Sequence, residues 1–273
     1  MGKINLLIFS PHPDDAILSS SGLIYKNIKE NKKVLIVYMT NGDGYEYAKS
    51  LWEKKNNKKI SMVGFGNLRK KESEEAIKEF QSDNIKQLWL GYPDGFLTQI
   101  WNNNSNIKSL HTLTSTNPYT FSYSYKKKYN RKNLKKDIKN ILEKYQPEKI
   151  LVPHILDSHP DHKMTNIIVS EVLKKIKNKN LKNHLEFYLI HYRYPKSGYD
   201  NEIDWISKNG KPTNIFYSPK EIKENFYKIN FKEINFSKKI KKKILDHYQS
   251  QLDADKDFLR FFIKDDEIFW RKN

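Results

Sequence analysis

One histidine and two adjacent carboxylates stand close together near the start of the chain. They are His12, Asp14 and Asp15, within the sequence SPHPDD at residues 10–15. Burying two neighbouring carboxylates costs desolvation energy unless a cation or hydrogen bonds compensate their charge. A metal ion would do so, and histidine and aspartate are both zinc ligands. The alternative is an ordinary turn in which an aspartate caps a helix.

A second group of the same residue types lies near the middle of the chain. Residues 154–162 hold three of the eight histidines, with Asp161 between His159 and His162. These two histidines are three residues apart at the start of a predicted helix, so both can point the same way. Alone, this stretch would also fit a polar turn with exposed histidines.

Together the two groups can supply a catalytic zinc site, which normally has three protein ligands and one water. We predict that His12, Asp15 and His162 bind the metal, which is zinc or another divalent ion such as Fe²⁺. Asp14 would be the general base, because zinc lowers the pKa of its bound water to about 7. A protonated His159 would stabilise an oxyanion or protonate a leaving amine. Asp161 could then hold the His159 imidazole in position.

Both groups follow predicted strands, which explains how they could meet. Apolar runs predict strands at 3–9, 34–39, 87–90, 149–153 and 185–191. Helical spacing of apolar residues predicts helices at 16–31, 68–80, 133–145, 164–177 and 237–252. This alternation indicates an α/β fold with a mostly parallel sheet flanked by helices. The carboxyl ends of parallel strands share one edge, where ligands bind in such folds, so we expect the active site there.

Three stretches break the alternation. Residues 45–66 are expected to be loop with part of a helix. Residues 96–131 are rich in Asn, Ser, Thr and Tyr and are expected to be an insertion, since long loops in compact domains are often functional. A variable, turn-rich region is expected at 192–236, with a strand at 214–217. Without an internal repeat or flexible linker, we predict a single domain over residues 1–273.

Composition narrows the classes of protein. The 273 residues include no cysteine, which excludes disulfides and thiolate metal ligands. No apolar run approaches the roughly 18 residues of a transmembrane helix. The start of the chain lacks the features of a signal peptide, so the cytoplasm is the expected location.

The net charge of +18 could attract nucleic acid, an anionic membrane or a phosphorylated substrate. Only five of the 50 basic residues are arginine, the residue that phosphate and guanine sites favour for its fork of donors. Scattered lysines indicate a solvated surface, so a nucleic-acid partner is not expected. A small substrate bearing phosphate or a nucleotide would also suit the charge. The competing hypothesis is a basic protein that binds nucleic acid or acidic glycan and has a vestigial site.

Six separated segments resemble the LmbE/PIG-L family of zinc-dependent N-deacetylases. They are HPDD at 12–15, TNGD at 40–43, RKKESEEA at 69–76, LGYPDG at 90–95, HPDH at 159–162 and HYQSQ at 247–251. Each is a weak signal alone, whereas six in this order are specific.

The resemblance implies a Rossmann-like fold with its site at the carboxyl ends of the strands. It also implies zinc-assisted hydrolysis of an acetamide, commonly on an N-acetylglucosamine unit of a sugar or glycoconjugate. His12, Asp15 and His162 would bind zinc, with Asp14 as base and His159 as electrostatic partner.

By the same resemblance, Arg69 and Asp94 would contact the substrate. The chain departs from the family pattern in two places. Ala16 replaces a glutamate that often follows the aspartate pair, and Asp157 with Ser158 stands where a tyrosine can assist the oxyanion. A zinc-dependent hydrolase of another amide or ester bond is the alternative within the same chemistry.

Overall fold

The computed structural model describes residues 4–176, 181, 184–192, 207–208 and 211–271. The strands are β1 Leu6–Ser10, β2 Val34–Thr40, β3 Ile85–Tyr92, β4 Lys149–Pro153, β5 Leu185–Tyr188, β6 Ser207–Lys208, β7 Lys211–Pro212, β8 Asn225–Asn230 and β9 Asp266–Arg271. The helices are α1 Asp15–Lys29, α2 Glu46–Asn56, α3 Met62–Lys78, α4 Leu97–Asn102, α5 Arg131–Tyr145, α6 Pro160–Lys175, α7 Lys238–Leu245 and α8 Gln249–Phe261.

Seven strands form one sheet in the order β3-β2-β1-β4-β5-β9-β8. The first five strands in this order pair in parallel, and β9 pairs antiparallel with both β5 and β8. The predicted α/β class with a mostly parallel sheet and flanking helices is confirmed. The antiparallel edge was not predicted.

The central strands are apolar along their whole length because helices cover both faces of the sheet. Every residue of β1 and of β2 is buried. The helix α5 turns an apolar stripe that includes Leu134, Ile138 and Ile141 towards this core. Among the described residues, no helix is long and apolar enough to cross a membrane.

The stretch 45–66 is more helical than the sequence indicates. It contains α2 and the first residues of α3, which begins at Met62 instead of residue 68. The Ser61 hydroxyl accepts a hydrogen bond from the Gly64 N–H and caps this early start. Two glycines in the first turns weaken the helical signal in the sequence.

The C-terminal third differs most from expectation. The helix predicted at 237–252 is two helices, α7 and α8. No strand forms at 214–217; the Phe216 N–H instead donates to the Asp266 side chain at 2.7 Å. Residues 193–206 and 209–210 of the expected variable region, and residues 3 and 177 of two predicted elements, lie outside the described part.

The helix α1, which follows the first histidine–aspartate group, is broken at Ser20. The break leaves backbone N–H and carbonyl groups without partners in the helix, and the buried ion pair of Lys241 and Glu267 binds them. The Glu267 carboxylate accepts the Gly22 N–H at 3.0 Å, and the Lys241 ammonium donates to the Leu18 carbonyl at 2.8 Å. Lys241 and Glu267 are themselves 2.8 Å apart and fully buried.

Candidate metal centre

Two neighbouring strands deliver the two histidine–aspartate groups to one place. β1 and β4 pair in parallel, so their carboxyl ends lie side by side. The turn after β1 carries His12 into α1, and the loop after β4 carries His159 and His162 into α6. The structure therefore brings together side chains that are 150 residues apart in the chain.

Three candidate ligand atoms form a nearly equilateral triangle. His12 Nδ1 and Asp15 Oδ2 are 3.1 Å apart, Asp15 Oδ2 and His162 Nε2 are 3.1 Å apart, and the two histidine nitrogens are 3.3 Å apart. Tetrahedral ligands with bonds of about 2.0–2.1 Å lie roughly 3.3–3.4 Å from each other. The spacing therefore fits three corners of a zinc tetrahedron, and the donor set of two imidazoles and one carboxylate fits zinc chemistry.

Each histidine of the triangle has a carboxylate on its other ring nitrogen. Asp94 Oδ1 lies 3.0 Å from His12 Nε2, and Asp157 Oδ2 lies 3.0 Å from His162 Nδ1. Such carboxylates fix the tautomer and orientation of a metal-binding imidazole. Asp157 also accepts the His191 N–H at 3.2 Å, which ties the loop after β4 to the end of β5.

The carboxylate and imidazole groups of the triangle stabilise each other's charged forms. Burial disfavours protonated His162, but the carboxylates of Asp15 and Asp157 outweigh this and raise its pKa to about 9. Burial likewise acts to raise the pKa of Asp15, but His162 and His12 hold that pKa well below its usual range. A metal cation bound to His12 Nδ1, Asp15 Oδ2 and His162 Nε2 would displace the protons from these two imidazole nitrogens.

Asp14 lies beside the triangle and is paired with Arg69. The Arg69 Nη2 donates to Asp14 Oδ1 at 3.0 Å, and its Nη1 donates to the Gly42 carbonyl at 3.1 Å. Gly42 has a positive φ of 62°, and a Cβ there would lie 1.8 Å from Nη1. Burial raises the pKa of Asp14, an effect that Arg69 partly opposes. Arg69, which the family resemblance predicts to contact the substrate, thus forms an ion pair with Asp14, the candidate general base.

The relation between His159 and Asp161 is the reverse of the predicted one. His159 caps α6, and its Nδ1 accepts the Asp161 N–H at 3.2 Å. The Asp161 carboxylate instead accepts the Gly95 N–H at 2.7 Å. The reason is that the first backbone N–H groups of a helix have no partner within the helix. His159 Nδ1 accepts a hydrogen bond from one of them and so cannot be held by the Asp161 carboxylate through that nitrogen. Burial and the neighbouring His12 and His162 lower the pKa of His159 to about 2, which favours a neutral imidazole rather than the expected cation.

A cavity of about 400 Å³ opens beside the triangle. Its walls come from the loops after β1, β2, β3 and β4, from residues near the end of β5, from His111 and from the helices α1, α3 and α8. The lining residues are His12, Asp14, Asp15, Leu18, Gly44, Tyr45, Arg69, Asp94, Gly95, His111, His159, His191, Gln251, Asp255, Phe258 and Leu259. His162 and Asp161, which were also predicted, lie behind this surface and are fully buried.

Two cavity histidines have no motif around them that would have identified them. The His191 ring stacks on Phe258 with centroids 5.0 Å apart and meets His162 edge to face at 4.9 Å. The only signal for it is its place at the end of the predicted strand 185–191, on the active edge of the sheet. His111, from the stretch 96–131, lies 3.2 Å from the Glu46 carboxylate.

The stretch 96–131, which the sequence predicts to be an insertion, braces the loops that form the cavity. The Tyr119 hydroxyl donates to Asp43 at 2.6 Å, and Asp43 in turn accepts the Asp94 N–H at 3.1 Å. Burial raises the pKa of Asp43 to about 6, and the nearby Asp94 charge adds to the shift. The stretch 96–131 thereby holds Asp94 against His12.

The family model described as PIG-L, GlcNAc-PI de-N-acetylase, matches residues 7–173, which is more than half of the chain. The match covers all the candidate ligands and ends before the C-terminal elements that complete the cavity. No curated protein has a significant sequence match to this chain.

Three solved structures share the fold at low identity. An N,N'-diacetylchitobiose deacetylase from Pyrococcus horikoshii is 20% identical, with a TM-score of 0.54 over 94% of this chain and 75% of that one. A zinc-inhibited form of the teicoplanin deacetylase Orf2 is 14% identical, with a TM-score of 0.55 over 97% of both chains. The 4-carboxy-2-hydroxymuconate hydratase GalB from Pseudomonas putida KT2440 is 13% identical, with a TM-score of 0.55 over 96% of this chain and 83% of that one. A hydratase among them indicates that the fold alone does not specify the reaction.

Proposed function

The chain belongs to the PIG-L family, and from that premise we propose that it is a metal-dependent N-deacetylase of an N-acetylated sugar or glycoconjugate. The observation that carries the proposal is the triangle of His12, Asp15 and His162 with Asp14 at its side. Solved deacetylases with the same fold support it, including one crystallised in a zinc-inhibited form.

In this proposal His12, Asp15 and His162 hold a divalent metal, of which zinc fits the donor set best. The bound metal would lower the pKa of a coordinated water and polarise the acetyl carbonyl. Asp94 and Asp157 orient the two imidazoles from behind, so that Nδ1 of His12 and Nε2 of His162 stay turned towards the metal position.

The proton transfers fall to Asp14. It takes a proton from the attacking water and returns it to the amine nitrogen when the C–N bond breaks, so that acetate and a free amine leave. Arg69 fixes the Asp14 carboxylate through one of its oxygens and leaves the other for the water. His159 lines the cavity, and because its Nδ1 accepts the Asp161 N–H, its Nε2 carries the proton and can donate to the developing oxyanion.

The experiment is a metal analysis of the purified protein combined with an assay of acetate release from N-acetylglucosamine and N,N'-diacetylchitobiose. We expect about one divalent ion per chain and acetate release that chelation abolishes and zinc restores. His162→Ala should lose both. His247→Ala is the matched control, because His247 pairs with Glu79 and does not line the cavity.

Two neighbouring substitutions separate metal binding from chemistry. Asp15→Asn should weaken metal binding, whereas Asp14→Asn should keep the metal and lower kcat by about 10²–10⁴-fold, as loss of a general base does. Protein that binds no divalent ion, or a His162→Ala variant with unchanged acetate release, would refute the proposed function.

A further inference from the structure

The charge of the cavity is opposite to the charge of the chain. The chain carries a net charge of +18, but the cavity walls present four carboxylates, those of Asp14, Asp15, Asp94 and Asp255, against the single guanidinium of Arg69. No lysine is among the described side chains that line it. With these five groups ionised and the lining histidines neutral, the walls sum to −3, and a bound divalent cation would bring the sum only to −1.

Arg69, the one arginine or lysine among the described side chains on these walls, is already engaged. Arg69 donates from Nη2 to Asp14 and from Nη1 to the Gly42 carbonyl, and the side chain is 4% exposed. Its Nε is buried from solvent. Two donors of the guanidinium fork that makes arginine a good phosphate ligand are therefore already used, and a third is buried, so Arg69 cannot offer its full fork to a phosphate in the cavity.

Asp255 extends the negative charge to the mouth of the cavity. It lies at a break in α8, where its backbone leaves helical geometry at φ −153° and ψ 64°. Its Oδ1 accepts the Phe258 N–H at 3.3 Å, which caps the second half of the helix. Tyr45, from the loop after β2, lines the same cavity, and burial together with the Asp255 charge raises the pKa of that tyrosine.

We propose that this cavity selects N-acetylated sugars that carry no phosphate or other anionic group near the acetamide, and that Asp255 contributes to the selection at the mouth. The inference rests on the proposed function and specifies its substrate class. A phosphorylated sugar would bring its charge within a few ångströms of carboxylates that are mostly buried, where salt screens them little. The positive surface outside the cavity cannot offset repulsion inside it at physiological salt, because its field falls off over about 8 Å.

The test compares acetate release by the metal-loaded protein from N-acetylglucosamine and from N-acetylglucosamine 6-phosphate. At about 50 mM salt we expect kcat/KM for the uncharged sugar to be at least about tenfold higher. The ratio should narrow at about 500 mM salt, because salt screens the charge at the mouth but does not change the shape of the cavity. A phosphorylated sugar hydrolysed as fast as the uncharged one at low salt would overturn the proposal.

Variants of two aspartates on α8 test whether Asp255 contributes to the preference for the uncharged sugar. Asp255→Asn keeps an oxygen for the Phe258 N–H, and should move the ratio towards the phosphorylated sugar by about threefold. Asp257→Asn is the matched control, an exposed aspartate outside the cavity, and should leave the ratio unchanged. Equal effects of both variants would remove Asp255 from the proposal.

Failure of the proposed function has a different signature, namely no acetate from either sugar. Calorimetric binding of the same two sugars to the metal-loaded protein then decides the charge preference on its own. Weaker binding of the phosphorylated sugar would support a cavity that rejects anions, and tighter binding would overturn it.

Discussion

Asp14 and Asp15 are adjacent in sequence, yet their surroundings give them opposite electrostatic properties. Asp15 lies between two imidazoles and also accepts the His12 N–H at 2.8 Å, so its carboxylate stays ionised. Asp14 has one cationic partner, Arg69, and burial raises its pKa. A pair of acids whose environments separate their pKa values is what a site needs to divide metal binding from proton transfer. The residue types alone could predict this division, but the partner of Asp14 comes from a helix 55 residues away.

Asp157 is the residue of the metal centre that the sequence indicated least. It accepts hydrogen bonds from the Nδ1–H of His162 and from the backbone N–H groups of Ile190 and His191. Asp157→Asn replaces one acceptor oxygen with a donor, so these partners cannot all be satisfied. We expect zinc affinity to fall about 10–100-fold, as for other partners of metal-binding histidines, measured by calorimetric titration.

The matched control for this prediction is Asp137→Asn. Asp137 is equally buried, but it accepts from Tyr92 and contacts no candidate ligand. That variant should be less stable and bind zinc as wild type does. If Asp157→Asn binds zinc within twofold of wild type, Asp157 does not orient His162.

At the scale of elements, the parallel strands were predictable because each is a continuous apolar run. The strands β8 and β9 were not, because each has an apolar run of only two or three residues, flanked by polar residues. Some of these polar residues bind distant partners, as Glu267 binds the break in α1. The early part of α3 was hidden for a similar reason. Gly66 lowers helix propensity, but a Cβ there would lie 2.3 Å from the Tyr119 hydroxyl, so tertiary packing requires the glycine.

Glu72 links α3 to the start of α8, and its burial makes stability depend on pH. It accepts the Ser250 N–H at 2.7 Å and the Ser250 hydroxyl at 2.6 Å. Burial raises the pKa of Glu72 to about 7 from an ordinary value of 4.5, although the bonds from Ser250 oppose the shift. The folded state therefore holds this proton more tightly than the unfolded state. The resulting stability is present below about pH 4.5 and is lost as pH rises through about 7.

Glu72→Gln should remove that part of the pH dependence, which amounts to about 3 kcal/mol at most. The measurement is the free energy of unfolding in urea at several pH values between about 4.5 and 8. Glu74→Gln, on the exposed side of the same helix, should follow the wild-type curve. Parallel curves for wild type and Glu72→Gln would show that Glu72 does not titrate in this range.

The Lys241–Glu267 pair holds α1, α7 and β9 together, and it should be expensive to break. Lys241→Met leaves the Glu267 charge buried with only hydroxyl and backbone partners. We expect a loss of about 3–5 kcal/mol in the free energy of unfolding. Adding Glu267→Gln should recover part of it, and the surface control Lys239→Met should stay within about 0.5 kcal/mol. A loss below about 1 kcal/mol for Lys241→Met would contradict this role.

At the scale of the whole molecule, the positive charge and the site are separate features. The two halves of the metal centre lie in the region that matches the family, whereas His191, Asp255 and Phe258 come from beyond it and close the cavity. The net charge of +18 is carried outside this cavity by scattered lysines. The competing hypothesis is a basic binding protein with a vestigial site, in which the positive surface carries the function and the metal centre does not. The surface and the metal centre can be tested separately.

If the lysines are only a solvated surface, polyanions will bind weakly and without regard to the metal centre. Binding of heparin or duplex DNA, followed by fluorescence anisotropy, should fall by about tenfold or more between 50 and 200 mM salt. Asp14→Asn and metal removal should leave that affinity unchanged while they abolish acetate release. Acetate release from an uncharged sugar should in turn persist at about 500 mM salt, where the polyanion no longer binds. Polyanion affinity that survives high salt, or that changes when Asp14 or the metal is removed, would mean that the cavity and the basic surface act as one binding site.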